Sequence, residues 1–235
     1  MSARGRGEGR RTSKRLTWSS GTRPQIPVFP LYVEGEVTED EYFRALGRRE
    51  DLREKVVIRI EKSGGQPELL VDRAVKDAER ANRETEQEDR YGERDQYRCV
   101  FDVEAPLDKR HPRLIEAVDA AKGGGVKTAV SNPCFEVWLI LHRSECAAWL
   151  TTDEAVARRR AGDPTAKGKH INAGAYVDQG LVEQACGRAM KLRVQHERNR
   201  TVFLDDNPST SVDLLMRLFR VVVGVARRAG RVMRG

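Results

Sequence analysis

Four short apolar runs, separated by stretches of helical spacing, constrain this chain more than any other feature of its sequence. The first, Val28-Phe29-Pro30-Leu31-Tyr32-Val33, stops at Glu34-Gly35. The second is Val56 to Ile60. The third, Tyr97 to Phe101, runs into Asp102-Val103-Glu104, and the fourth, Val126 to Val130, runs into Ser131-Asn132-Pro133. Short runs rich in β-branched and aromatic residues read as buried strands. Between the first two, Thr38-Glu39-Asp40-Glu41 has the pattern of a capping box, with Thr38 as N-cap and Glu41 reaching back. Tyr42, Phe43, Ala45 and Leu46 then follow at helical spacing. Pro67 suits a first helical turn, with Leu69, Leu70, Ala74, Val75 and Ala78 behind it and a solvated polar stretch over 79–96. Further helices are predicted from Pro112 to Ala121 and around Phe135, Val137, Trp138, Leu139 and Leu141. Strands alternating with helices imply an α/β fold with a mostly parallel four-stranded sheet flanked by helices on both faces.

Beyond residue 143 the pattern is helical. Segments are predicted over Ala147–Ala161, Leu181–Arg198 and Val212–Arg228, with Asn207-Pro208-Ser209-Thr210-Ser211 as a turn and helix cap. The expected organisation is a basic disordered tail over 1–25, an α/β core over 26–143 and a helical C-terminal part over 144–235. The net charge of +7 resides mostly in the tail. There Arg4, Arg6, Arg10, Arg11, Lys14, Arg15 and Arg23 oppose Glu8 alone. A Gly/Arg-rich tail of this kind can hold phosphates by releasing counterions, or can merely keep the chain soluble. No apolar run approaches the roughly 18 residues of a membrane span, so no membrane partner is expected. Cys99, Cys134, Cys146 and Cys186 form no CxxC pair and read as reduced, packed thiols of a cytoplasmic protein.

In open α/β sheets, chemistry gathers beyond the carboxyl ends of the strands. Glu34, Asp102 and Glu104 stand at such ends. In an extended segment i and i+2 point the same way, so strand alternation would let Asp102 and Glu104 converge. Three carboxylates in one place repel unless a cation neutralises them, and hard oxygen ligands suit Mg²⁺ or Mn²⁺. Alternatively, these acids cap helices or pair with nearby Arg and Lys. Asn132 could orient a phosphate or hold the strand–helix turn. Glu136, in the first turn of a helix, and the basic loop Lys167, Lys169 and His170 are further candidates for touching substrate. Glu39 could cap or could function. Phe135, Trp138 and His142 read as packed core. The chain has no GxxxxGK[ST] phosphate loop.

The segment Val33-Glu34-Gly35-Glu36-Val37-Thr38-Glu39-Asp40-Glu41-Tyr42-Phe43 resembles the EGxxTExxYF opening of the RloB-like family. Phe101-Asp102-Val103-Glu104 is similar to its hydrophobic-DxD element, with glutamate in place of the second aspartate. Ser131 to His142 resembles its SNPCFExWLxLH signature, and Asn207 to Val212 its late NPSTxV element. The resemblance implies a Toprim-like fold, in which a glutamate after the first strand and a DxD after the third hold divalent metal for phosphodiester chemistry. Carried over, Glu34 is a general acid/base or metal ligand, and Asp102 and Glu104 are metal ligands. Glutamate reaches about one methylene further than aspartate, which puts two-metal geometry in question. The function implied is a metal-dependent nuclease cleaving DNA or RNA in bacterial antiviral, restriction-linked defence. An ATPase encoded nearby and a second copy of the chain are further expected partners. The rival expectation is a non-catalytic sensor or effector-docking subunit of an ATPase complex.

Overall fold

A computed structural model describes residues 26–62, 65–87, 96–164 and 167–232. The basic tail predicted over 1–25 lies outside the described residues. The elements run β1 (Val28–Val33), α1 (Thr38–Gly47), β2 (Val57–Lys62), α2 (Pro67–Gln87), β3 (Arg98–Asp102), a 3-10 turn (Leu107–Lys109), α3 (Leu114–Gly123) and β4 (Lys127–Asn132). They continue with α4 (Glu136–Arg143), α5 (Thr152–Gly162), α6 (Ala173–Tyr176), α7 (Gln179–Asn199), β5 (Ser209–Thr210) and α8 (Val212–Val232).

The strands form one sheet in the order β2-β1-β3-β4-β5. The four expected strands are mutually parallel, so their carboxyl ends share one edge. The fifth strand was not expected. Ser209–Thr210, predicted as a turn, pairs antiparallel with β4, Thr210 opposite Ser131 and Ser209 opposite Asn132. Two residues carry no alternation pattern, which is why the sequence hid this strand. Among the described residues, no helix is long and apolar enough to cross a membrane.

Each face of the sheet carries its own apolar layer. On one side Tyr32, Cys99, Phe101 and Val103 pack with Leu70, Ala74 and Leu114, Ala117, Ala121 from α2 and α3. On the other side Phe29, Leu31, Val33 and Val100 pack with α1, α4, α7 and α8. The C-terminal helices thus share the core of the sheet. Phe219 of α8 meets Phe29 of β1 edge-on, with ring centroids 5.0 Å apart. Helix α4 is buried from Glu136 to His142, with Trp138 fully enclosed. A buried ring system joins Tyr42, Phe135, Trp138, His142 and Tyr176. His142 is therefore core, as its spacing suggested. Its Nδ1 lies 2.8 Å from Trp138 O, and burial pushes its pKa down to about 4.

Local signals and structure differ at two helix starts. The capping box expected at Thr38 does not form: Val37 occupies the cap position and no side chain caps α1. A capping box does form at Thr151 and Glu154, so this helix begins at Thr152, five residues past its predicted start. Just before it, Leu150 is held by Asn207, whose Oδ1 accepts the Leu150 N–H and whose Nδ2 donates to Leu150 O. Helix α2 continues to Gln87, into the charged stretch in which it was expected to end. Exposed pairs such as Arg83–Glu79 line its polar face at helical spacing.

Candidate metal centre

The shared carboxyl edge of β1 and β3 gathers the two secondary candidates, Glu39 and Glu136, around Glu34, Asp102 and Glu104. Glu34 follows β1 directly, and its own N–H still pairs with Val100 O at 3.1 Å. Its side chain reaches across to β3, where Oε2 accepts the Asp102 N–H at 3.1 Å. The other oxygen, Oε1, lies 3.1 Å from Nε2 of His111. Burial raises the pKa of Glu34, and nearby Glu104 adds to that, against the backbone hydrogen bond and His111.

Asp102 closes β3, in register with Ser131 of β4. Its Oδ1 is buried and has no hydrogen-bond partner. Burial holds this carboxyl well above the usual aspartate range, reinforced in turn by Glu39, Glu34, Glu136 and Glu104. A buried carboxylate oxygen with no donor, surrounded by other carboxylates, is costly as an anion.

Two further members come from helix starts. Glu39, in the first turn of α1, is 5% exposed. Burial, then Glu136 and Glu34, push its pKa up to about 7, with Lys169 opposing. Gly35 makes room for it, since a Cβ there would stand 1.8 Å from Glu39 Oε2. Glu136 opens α4 and lies 3.9 Å from the buried guanidinium of Arg159. The potential also reaches Cys134, whose thiol is pushed well up by burial and then by Glu136 and Asp102.

Glu104 joins by a different route from the one predicted. The strand stops at Asp102, and Glu104 takes a left-handed backbone, φ 67°. Its N–H donates to Pro133 O at 2.8 Å, and its Oε2 accepts the Thr152 hydroxyl at 2.5 Å. Strand alternation therefore does not align it with Asp102. It borders the cluster while being anchored to the start of α5.

The remaining candidates separate. Asn132 is 2% exposed and serves the fold: its amide donates to Leu204 O at 3.0 Å and to Asp206 Oδ1 at 3.1 Å. These bonds tie β4 to the 204–206 segment, not the strand–helix turn it was expected to hold. The loop bearing Lys167, Lys169 and His170 is tied to α1 and α5: Gly168 O accepts from Arg159 at 3.1 Å, and His170 lies 2.6 Å from Glu41. His111 and Thr152 were not nominated. Each is fixed by contacts 77 and 48 residues away in sequence, which no local pattern signals.

Among the described residues, no three His, Cys, Asp or Glu side chains already converge as a ligand set. The acids are close enough to raise one another's pKa, yet their oxygens point to separate partners. The donor chemistry fits a hard divalent cation, with Asp102 Oδ1 as the unsatisfied oxygen. Closing a ligand set around it requires side-chain rotation at Glu34, Glu39 or Glu136.

A family model described as RloB-like protein matches residues 29–218, and the chain belongs to that family. No curated protein and no solved structure matches it. The matched span contains Glu34, Glu39, Asp102, Glu104 and Glu136.

Proposed function

We propose that this RloB-like chain is a Toprim-like, divalent-metal-dependent nuclease that cuts DNA or RNA phosphodiesters in bacterial antiviral defence. One observation carries the reading: Asp102, with a buried unpartnered oxygen, stands among Glu34, Glu39, Glu104 and Glu136 at the carboxyl edge of a parallel sheet. Such a cluster is a standing electrostatic cost without a cation, and folds retain costs of this kind where they serve chemistry. Asp102, Glu34 and Glu39 would hold Mg²⁺ or Mn²⁺, with Glu104 and Glu136 at the rim. Bound there, the metal would polarise a phosphoryl oxygen and lower the pKa of water.

The chain's own groups divide the remaining work. Glu34 accepts the proton of the attacking water, and His111 on its Oε1 orients it and can carry that proton away. The backbone N–H of Asp102 on Oε2 and His111 on Oε1 together fix the orientation of the Glu34 carboxylate. Thr152 holds Glu104 in place. The defence role and an ATPase partner rest on the family resemblance alone.

The second reading, a non-catalytic docking or sensor subunit, is favoured by one observation. Glu104 replaces an aspartate of the family pattern, and its carboxylate is committed to Thr152. The test is direct. Purified protein, alone and with a co-expressed neighbouring ATPase, is incubated with labelled single- and double-stranded DNA and RNA in Mg²⁺ or Mn²⁺. Cutting that disappears in Asp102→Ala, with an unchanged melting curve, supports the nuclease. Equal cutting by wild type and mutant sinks the site, and no cutting alongside intact Mn²⁺ binding favours the second reading.

A further inference from the structure

The two residues that looked like a helix cap are used to hold a loop. Thr38 Oγ1 donates to Lys169 O at 2.7 Å. Glu41 accepts the Ile171 N–H at 2.8 Å and lies 2.6 Å from His170 Nδ1. From the opposite side Arg159, 2% exposed, donates to Gly168 O at 3.1 Å and to His170 O at 3.4 Å. Four consecutive residues, 168–171, are thus tied to α1 and α5 across up to 131 positions of sequence. Gly168 provides the left-handed turn, φ 61°, that glycine adopts without penalty.

Ile171, at its end, is buried in the apolar core. Residues 167–170 are exposed. What the ties achieve is placement. The Lys169 carbonyl sits on the side chain of Thr38, the chain neighbour of Glu39. Arg159, which holds the loop, also stands 3.9 Å from Glu136 Oε1. The loop is therefore anchored to two members of the acid cluster's own scaffold. Among the described contacts, the Lys169 ammonium makes no hydrogen bond and no ion pair, yet it acts on Glu39 by its charge. An ammonium has three donors and binds phosphate as a point charge.

We propose that Lys169 is a phosphate-contacting residue, held by Thr38, Glu41 and Arg159 at the rim of the acid cluster to engage the nucleic-acid backbone there. This rests on the nuclease reading. It gives the site a cation of its own for a polyanion that five carboxylates would otherwise repel. Thr38, Glu41 and Arg159 are positioning residues.

The experiment is fluorescence anisotropy of a labelled 20-nucleotide single strand, DNA and RNA, with full-length protein in Ca²⁺ over a series of NaCl concentrations. Lys169→Ala is expected to weaken binding about tenfold. The slope of log affinity against log salt should shrink by about 0.7, the share of one phosphate contact. Lys169→Arg should keep the slope. Thr38→Val, which leaves the charge but frees the loop, should weaken binding with a smaller change of slope. A wild-type slope in Lys169→Ala overturns the proposal and leaves the nuclease reading standing, and Lys169 then only screens the acids. Wild-type protein that binds neither strand overturns both.

Discussion

Metal-free protein should lose stability as pH rises through neutrality, and Glu39 sets the size of the loss. Its carboxyl moves from an ordinary 4.5 to about 7 in the fold, chiefly by burial. Between those values the folded chain keeps a proton that the unfolded chain has released. The contribution is therefore intact below about pH 4.5 and is lost as pH climbs through about 7. At about 1.4 kcal/mol per pH unit, the full titration amounts to about 3 kcal/mol. For a chain of this size that corresponds to roughly 6–12 °C in Tm. Asp102 and Glu34 are raised in the same direction and add to it. The assay is calorimetry of EDTA-treated protein from pH 5 to 8.5, wild type beside Glu39→Gln. The variant, neutral and isosteric, should flatten the curve and melt higher than wild type at pH 8. Millimolar Mn²⁺ should raise the wild-type Tm more at pH 8 than at pH 5, because only the ionised acids bind it. A metal-free Tm that holds level or rises over this range, or a Glu39→Gln curve that tracks wild type, would refute the reasoning.

Gly35→Ala places a Cβ against the Glu39 carboxylate, the mobile end of a side chain. It should leave the fold within a few degrees of wild-type Tm while weakening Mn²⁺ binding about 10- to 100-fold, read by titration calorimetry. Asn132→Ala removes the donor to Leu204 O and Asp206 and should cost about 1–3 kcal/mol in urea unfolding, with Mn²⁺ affinity unchanged. Loss of Mn²⁺ affinity there would return Asn132 to the site. Trp138→Ala empties the centre of the buried ring system and should cost about 3–5 kcal/mol by the same measurement.

The sheet was legible because strand signals and their abrupt polar ends survive in any context. β1, β3 and β4 each end within two residues of their predicted limits, and β2 closes two residues later than predicted. The placement of Glu34 and Asp102 at the strand ends was legible for the same reason. Glu39 and Glu136 look, in sequence, like acids favoured by a helix dipole, and burial against other acids is a tertiary fact. Alternation predicts the direction of Glu104, but the chain leaves the strand before it and the residue borders the cluster by another path. The capping-box error has the clearest cause. A Thr and a Glu three residues apart satisfy the local rule, but a loop 131 residues away competes for the same atoms and wins. The short β5 strand and His111 depend wholly on long-range contacts and left no local trace.

The central claim is that the acids around Asp102 form a divalent-metal site. Anomalous diffraction from crystals grown in millimolar Mn²⁺ tests it most directly. The predicted result is a peak about 2.0–2.6 Å from Asp102 Oδ1, with Glu34 or Glu39 turned toward it, and no peak in Asp102→Ala. A map with no Mn²⁺ near Asp102, and the carboxylates still bonded to His111 and Thr152, would contradict it.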